Sequence, residues 1–299
     1  MSISLAFSTA ICPEKSTPQV IDLAKELGYT HVELITTSAE YPTVASDPLV
    51  SDPQQLALML QDADIKPACL HLDVCLHHAD QALIRKAYLR VEHACRVART
   101  IGCPYVRLQG NAVKPNQSRV SVISRMVANV LPMVKMAADH GVILVFENNG
   151  SFAKSKDWWT VLNMVEHPML GICWNPTNAH AVDELPAISI PVLHSRIHMV
   201  RLNDLASGSE NDFVPIGQGK LPVRDVIHRL MGIGFNRILS VGYDQAWLSA
   251  DVDLSTFLAD AKETLTSWMQ ESAKAIEDAQ VKIDKLAARN APKPRQRAS

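Results

Sequence analysis

The sequence predicts a closed (β/α)8 barrel, and three observations carry that prediction. Short β-branched runs alternate with longer stretches of helical periodicity, the short runs number eight, and a helical segment separates most of them from the next. Strands flanked by helices throughout pair in parallel through right-handed crossovers, and the near-continuous apolar run from Val142 to Phe146 suits a sheet covered on both faces. A doubly wound open sheet is the runner-up. No Gly-x-Gly-x-x-Gly follows the first strand, however, so a dinucleotide site has no support.

In chain order the strands fall at residues 3–8, 31–35, 66–71, 105–109, 142–147, 171–174, 197–202 and 237–241. Helical periodicity covers 17–27, 53–63, 79–101, 120–140, 156–167, 223–233 and 254–269. Gly28, Gly102, Gly141 and Gly234 each follow a helix and precede a strand, where a left-handed residue lets the chain turn back. The sixth helix is short and irregular, because the 182–188 stretch overlaps a proline-containing region at 185–191. The barrel is expected over 1–271. From Ser272 the composition shifts to Ala, Lys, Glu, Gln and Asp and then to a basic stretch at 292–297, giving a helical extension and basic tail over 272–299. A solvated appendage is the first reading. A docking helix for a second subunit, and with it a homo-oligomer, is the alternative, since Ile276, Ala279, Val281 and Ile283 form a thin apolar stripe.

Composition narrows the functional classes. The 299 residues are 47% hydrophobic and 20% charged, enough for a large core. Lys and Arg total 29 against 31 Asp and Glu, so the chain lacks the basic excess of a nucleic-acid binder. No fully apolar run approaches the length needed to cross a bilayer, and residues 1–15 lack signal-peptide character; a cytoplasmic protein without a membrane partner is expected. The six cysteines form no CxxC pair, and most lie in apolar segments where a small buried thiol is expected.

In such a barrel the reactive groups stand at the C-terminal strand ends. These read Glu33, His71, Gln109 with Asn111, Glu147-Asn148-Asn149, Asn175 with Asn178, Arg201 with Asn203 and Asp204, and Gly242-Tyr243-Asp244. A single polar residue there is an ordinary cap, but seven consecutive ends carrying amides and charges suit a polyhydroxylated, carbohydrate-like ligand. Glu33, Gln109, Asn149, Asn175, Asn178 and Asp204 are candidate ligand contacts, and Trp174 a candidate apolar wall for a sugar face. Arg107, Lys114 and Lys220 would supply phosphate recognition if they face the mouth.

Several segments resemble the xylose-isomerase-like TIM-barrel superfamily over roughly residues 3–270. The most specific runs from Pro215 through Gly217-Gln218-Gly219 and the 223–233 helix to Gly234-Phe235 and the last strand; Gly28-Tyr29-Thr30-His31-Val32-Glu33, Leu70-His71 and Val145-Phe146-Glu147-Asn148 support it. The resemblance implies sugar isomerase, epimerase or dehydratase chemistry: proton abstraction alpha to a carbonyl by a carboxylate, with a divalent ion such as Mn or Mg held by Glu, Asp, His and Glu at the ends of strands five to eight. Only Glu147 matches. The other places fall on Asn175, Arg201 and Gly242, so no metal site is expected, and Arg201 is expected to replace the ion as a partner of Glu147, lowering its pKa. A register shift of three residues would instead put His198 at the ligand place. His71 is a candidate catalytic residue beside Glu147 and Arg201, and a degenerate member that binds a sugar or a partner without turnover is the alternative function.

Overall fold

The computed structural model describes residues 3–110, 112–114, 116–207, 212–248 and 252–290. Eight parallel strands close into a barrel: β1 (Ser4–Ser8), β2 (His31–Leu34), β3 (Lys66–Leu72), β4 (Tyr105–Gln109), β5 (Ile143–Glu147), β6 (Leu170–Trp174), β7 (Ile197–Leu202) and β10 (Ile238–Val241). Two short strands, β8 (Asp204–Leu205) and β9 (Phe213–Val214), form an antiparallel ribbon outside the barrel. β1 pairs with both β2 and β10, so the barrel sheet has no free edge.

The helices begin where the sequence supplies caps. α1 (Thr17–Glu26) opens on a Ser16/Gln19 capping box, and α2 (Pro53–Asp62) opens on Asp52, which accepts from the amides of Gln54 and Gln55. α3 (Gln81–Ile101) and α4 (Arg119–Asp139) end at Gly102 and just before Gly141, with φ of 71° and 72°. A Cβ at either would meet nothing within 4 Å, so backbone conformation and not space favours glycine there. α5 (Ser155–Val165) follows β5. The irregular sixth connection contains two helices, α6 (Pro176–His180) and α7 (Pro186–Leu193). Each has a proline in its first turn, and Asp183, with φ of 57°, turns the chain between them.

α8 (Val223–Gly232) packs on α9, a single helix over Leu254–Asn290. No break marks residue 272, where the sequence suggests a boundary, although Ser272 is the last buried residue of α9 among those described up to Leu286. The tail at 291–299 lies outside the described residues. By length and composition alone α4 could cross a membrane, but Val122, Met126, Val130, Met133, Val134 and Ala137 bury one face in the core.

Strand alternation divides the apolar residues between two sides of the sheet. Phe7, Val32, Leu70, Val106, Phe146, Trp174 and Val241 belong to the layer shared with the helices. Ala6, Ala68, Cys69, Tyr105, Val145, Cys173, Met199 and Ile238 form a separate interior cluster. His198 joins the lower part of this interior: its ring meets Tyr105 edge-on at 5.6 Å and covers Gly171, where a Cβ would lie 2.1 Å from the ring. The shifted register that would make His198 a ligand at the mouth is therefore not the one adopted.

Burial, reinforced by Arg237 and Arg196, pushes the His198 pKa down to about 4. The charged form is disfavoured in the folded state, so this stability is complete above the ordinary histidine pKa and is lost as pH falls from there toward 4. Urea titrations of wild type and His198→Gln should diverge between pH 7 and pH 5, the wild type losing about 2 kcal/mol more. Equal losses would contradict this assignment.

Candidate functional site

The inward residues nearest the C-terminal strand ends are Glu33, His71, Arg107 with Gln109, Glu147, Arg201 and Ser240, joined by Asn175 just beyond β6. Arg107 lies at their centre. Its Nη2 donates to Glu33 Oε1 at 2.5 Å and its Nη1 donates to Glu147 Oε2. Ser240 donates to the other Glu33 oxygen at 2.7 Å, and the Asn175 amide donates to Glu147 Oε1 at 2.9 Å.

Arg201 is the second cation. Its guanidinium lies 3.8 Å from Glu147 Oε1, 3.9 Å from Glu33 Oε1 and 3.5 Å from Asp244 Oδ1, and 5.9 Å from the Trp247 ring centroid. Asp244 also accepts the Tyr41 hydroxyl. Two guanidiniums are thus shared among three carboxylates, and none of the five side-chain groups belongs to a residue more than 5% exposed. A buried charge persists only when paired, and this arrangement pairs each one.

Burial opposes the charged form of Glu147, but Arg107 first and Arg201 second, with hydrogen bonds from Asn175 and Arg107, hold its carboxyl below the ordinary value. The pair expected between Glu147 and Arg201 is therefore present at longer range, while the closest counter-ion is Arg107. Burial, then Arg107 and Arg201, drives His71 well below the ordinary histidine pKa, so its ring is neutral. His71 Nε2 lies 3.0 Å from the Gln109 amide nitrogen, and its Nδ1 is buried without a partner.

Arg201 and Gly242 are sterically linked. A Cβ on Gly242 would lie 2.1 Å from Arg201 Cγ and 2.5 Å from Nε, so the arginine stem fills the space a side chain at 242 would need. Asn175 is similarly suited to its neighbours: it caps α6 through Oδ1 while donating to Glu147. An aspartate there would set a second anion against Glu147 in place of a donor.

The remaining expected contacts divide. Asp204 does not face a ligand: its carboxylate accepts the amides of Leu205, Gly217, Gly219 and Leu221 and so folds the loop after β7 around itself. Trp174 belongs to the strand–helix layer and not to the interior. Asn178 lies half-buried on α6, while Asn149 is half-buried after β5 with Oδ1 unpartnered. Of the three cations considered for phosphate, Arg107 is committed to two carboxylates, Lys114 is exposed, and Lys220, half-buried, donates its backbone amide to Leu205. Asn111 lies outside the described residues. Asp244 and Tyr41 join the site from loops after β10 and β2. With Glu40, Ala10 and Trp247 they line a cavity of about 330 Å³ at the mouth.

This chain belongs to the xylose isomerase-like TIM barrel family, whose model matches residues 21–279. Its fold is similar to that of an L-ribulose 3-epimerase, with a TM-score of 0.78 at 13% identity, covering 97% of this chain and 100% of that one. It is also similar to a D-allulose 3-epimerase from Methylomonas sp., with a TM-score of 0.75 at 14% identity, covering 89% and 98%. The IolI protein with a bound zinc atom gives 0.75 at 17% identity, covering 90% and 99%. At these identities the likeness establishes the fold. No curated protein sequence matches the chain.

Two substitutions test the charge cluster. Gly242→Ala should displace Arg201 and destabilise the protein by about 1–3 kcal/mol, the usual result of overpacking. Arg107→Met should cost about 3–5 kcal/mol, because it leaves Glu33 and Glu147 buried without their nearest cation. Thermal or urea unfolding reads both, and wild-type stability in either variant would contradict the packing described.

Proposed function

We propose that the protein acts on a sugar, sugar acid or cyclitol by proton abstraction alpha to a carbonyl, with Arg201 in the electrostatic role that a divalent ion has elsewhere in the family. The observation that carries this reading is the seating of Arg201: its stem occupies the space above Gly242 and its guanidinium lies within 4 Å of three carboxylates. The donor set does not suit a divalent ion. Asn175 is neutral, Gly242 has no donor side chain, two fixed cations share the carboxylates, and among the described residues no three His, Cys, Asp or Glu side chains are grouped to hold one. No step is therefore assigned to a metal.

In this reading Glu147 takes the proton, the released electron pair moves onto the carbonyl oxygen, and Arg201 stabilises the resulting enediolate. Glu147 then returns the proton to the neighbouring carbon while the enediolate hydroxyl proton passes to the former carbonyl oxygen, or, in dehydration, gives it to a β-hydroxyl that departs as water. A partner base is missing at Gly242, and Asp244 is turned toward Arg201, so isomerisation or dehydration fits better than two-base epimerisation. The cavity beside Tyr41, Asp244 and Trp247 provides the approach.

A second reading, ligand binding without turnover, is favoured by one observation. Glu147 is 2% exposed, both its oxygens are hydrogen-bonded, and its lowered pKa lies far from the neutral range in which a general base works best. Solvent-deuterium incorporation into a panel of ketoses, sugar acids and inososes, followed by NMR, separates the two. Catalysis predicts exchange that Glu147→Gln lowers by about 10²-fold or more, and whose acid limb falls below the ordinary carboxylate pKa. Measurable binding without exchange supports the second reading, and exchange retained in Glu147→Gln removes Glu147 from the mechanism.

A further inference from the structure

α9 carries one apolar stripe with two different fates. Along the barrel, Phe257, Leu258, Ala261 and Leu265 are buried, with Trp268 and Met269 packed against the core. At heptad spacing the same face continues beyond Ser272 through Ile276, which is half-buried, and Ala279, Ile283 and Leu286, which are exposed. Ile283 and Leu286 are each 57% exposed. Residues 273–286 thus form an arm about 20 Å long with an unpaired seam.

A hole lies at the base of that arm. Met269, Gln270 and Ala273 of α9 form one wall of an apolar groove of about 470 Å³, and Ile3, Met231 and Phe235 form the other. One chain therefore presents both apolar knobs at the arm's tip and a groove at its root, separated along a single helix by roughly the arm's own length. A surface with both parts is self-complementary under a two-fold axis.

We infer that the seam and groove are an isologous interface in which a second copy of this chain lays its arm antiparallel on the first. The direction follows from sterics. The barrel sits on the same face of α9 that the seam presents, so two parallel arms in contact would bring both barrels into one space. The overlap available is 273–286 on each chain. Antiparallel pairing over that span sets Ile276 against the partner arm's Ile283, brings Leu286 to the groove at Met269 and Ala273, and leaves small Ala279 near the axis, where the helices come closest. Flanking positions are Ala273 and Gln280 on one side and Ala275 and Lys282 on the other, so no like charges meet across the seam.

Light scattering on the full chain after size exclusion tests the interface. The wild type should have the mass of two chains and Ile283→Glu/Leu286→Glu the mass of one, with the melting transition of the barrel retained. A wild type that is a single chain throughout the micromolar range, or a folded double variant that remains two chains, overturns the inference. Direction is read in a Cys75→Ser background, since the other five native cysteines are buried. Mixed Ile276→Cys and Ile283→Cys chains should form a disulfide with each other and neither with itself. Self-cross-linking of each, or no cross-link in the mixture, overturns the antiparallel arrangement, and this result stands even if the double glutamate variant fails to fold.

Discussion

Charge pairing inside the barrel mouth constrains everything around it. Glu33, Glu147 and Asp244 are buried with Arg107 and Arg201, and each cation touches more than one anion. Removing a partner from such a set leaves a charge without water or counter-ion, a cost of several kcal/mol. The neighbouring residues follow from that constraint. Ser240 and Asn175 donate to the remaining carboxylate oxygens, and residue 242 has no side chain because the Arg201 stem fills its space. The mouth is an electrostatically closed unit.

This closure links structure to chemistry in two opposing ways. The arginines hold the Glu147 pKa down and set a second cation 3.8 Å from it, an arrangement the proposed proton abstraction would use. Arg107 and Asn175 also hold both Glu147 oxygens in hydrogen bonds, as a binding site without turnover would tolerate. The Tyr41–Asp244 hydrogen bond joins two loops at this point, so access to Arg201 depends on residues outside the strands.

The barrel was legible in the sequence because strand alternation and helix caps are local signals. The β4 and β7 bounds agree with the structure to the residue, and each of the other barrel strands differs by one residue at one end. The sixth connection was less regular than one helix, since Pro176 and Pro186 each begin a separate one. Arg107 was undervalued at the site, although a signal existed: it shares inward parity with Gln109 on β4, one layer deeper, where an unpaired cation could not remain. Parity also separates Trp174 from its inward neighbours Cys173 and Asn175. Asp204 had no such signal, because its partners are backbone amides up to 17 residues away. Tyr41 and Asp244 are brought together across 203 residues, a contact only the folded loops create.

Guanidinium groups balance the carboxylates at the mouth, and the proposed function has them do so in place of a divalent ion. Elemental analysis of protein purified without chelator, followed by calorimetric titration with Mn²⁺, tests it most directly. The account predicts no stoichiometric metal and no saturable heat. One equivalent of bound Mn, Mg, Zn or Co per chain, lost on Glu147→Gln, would contradict it.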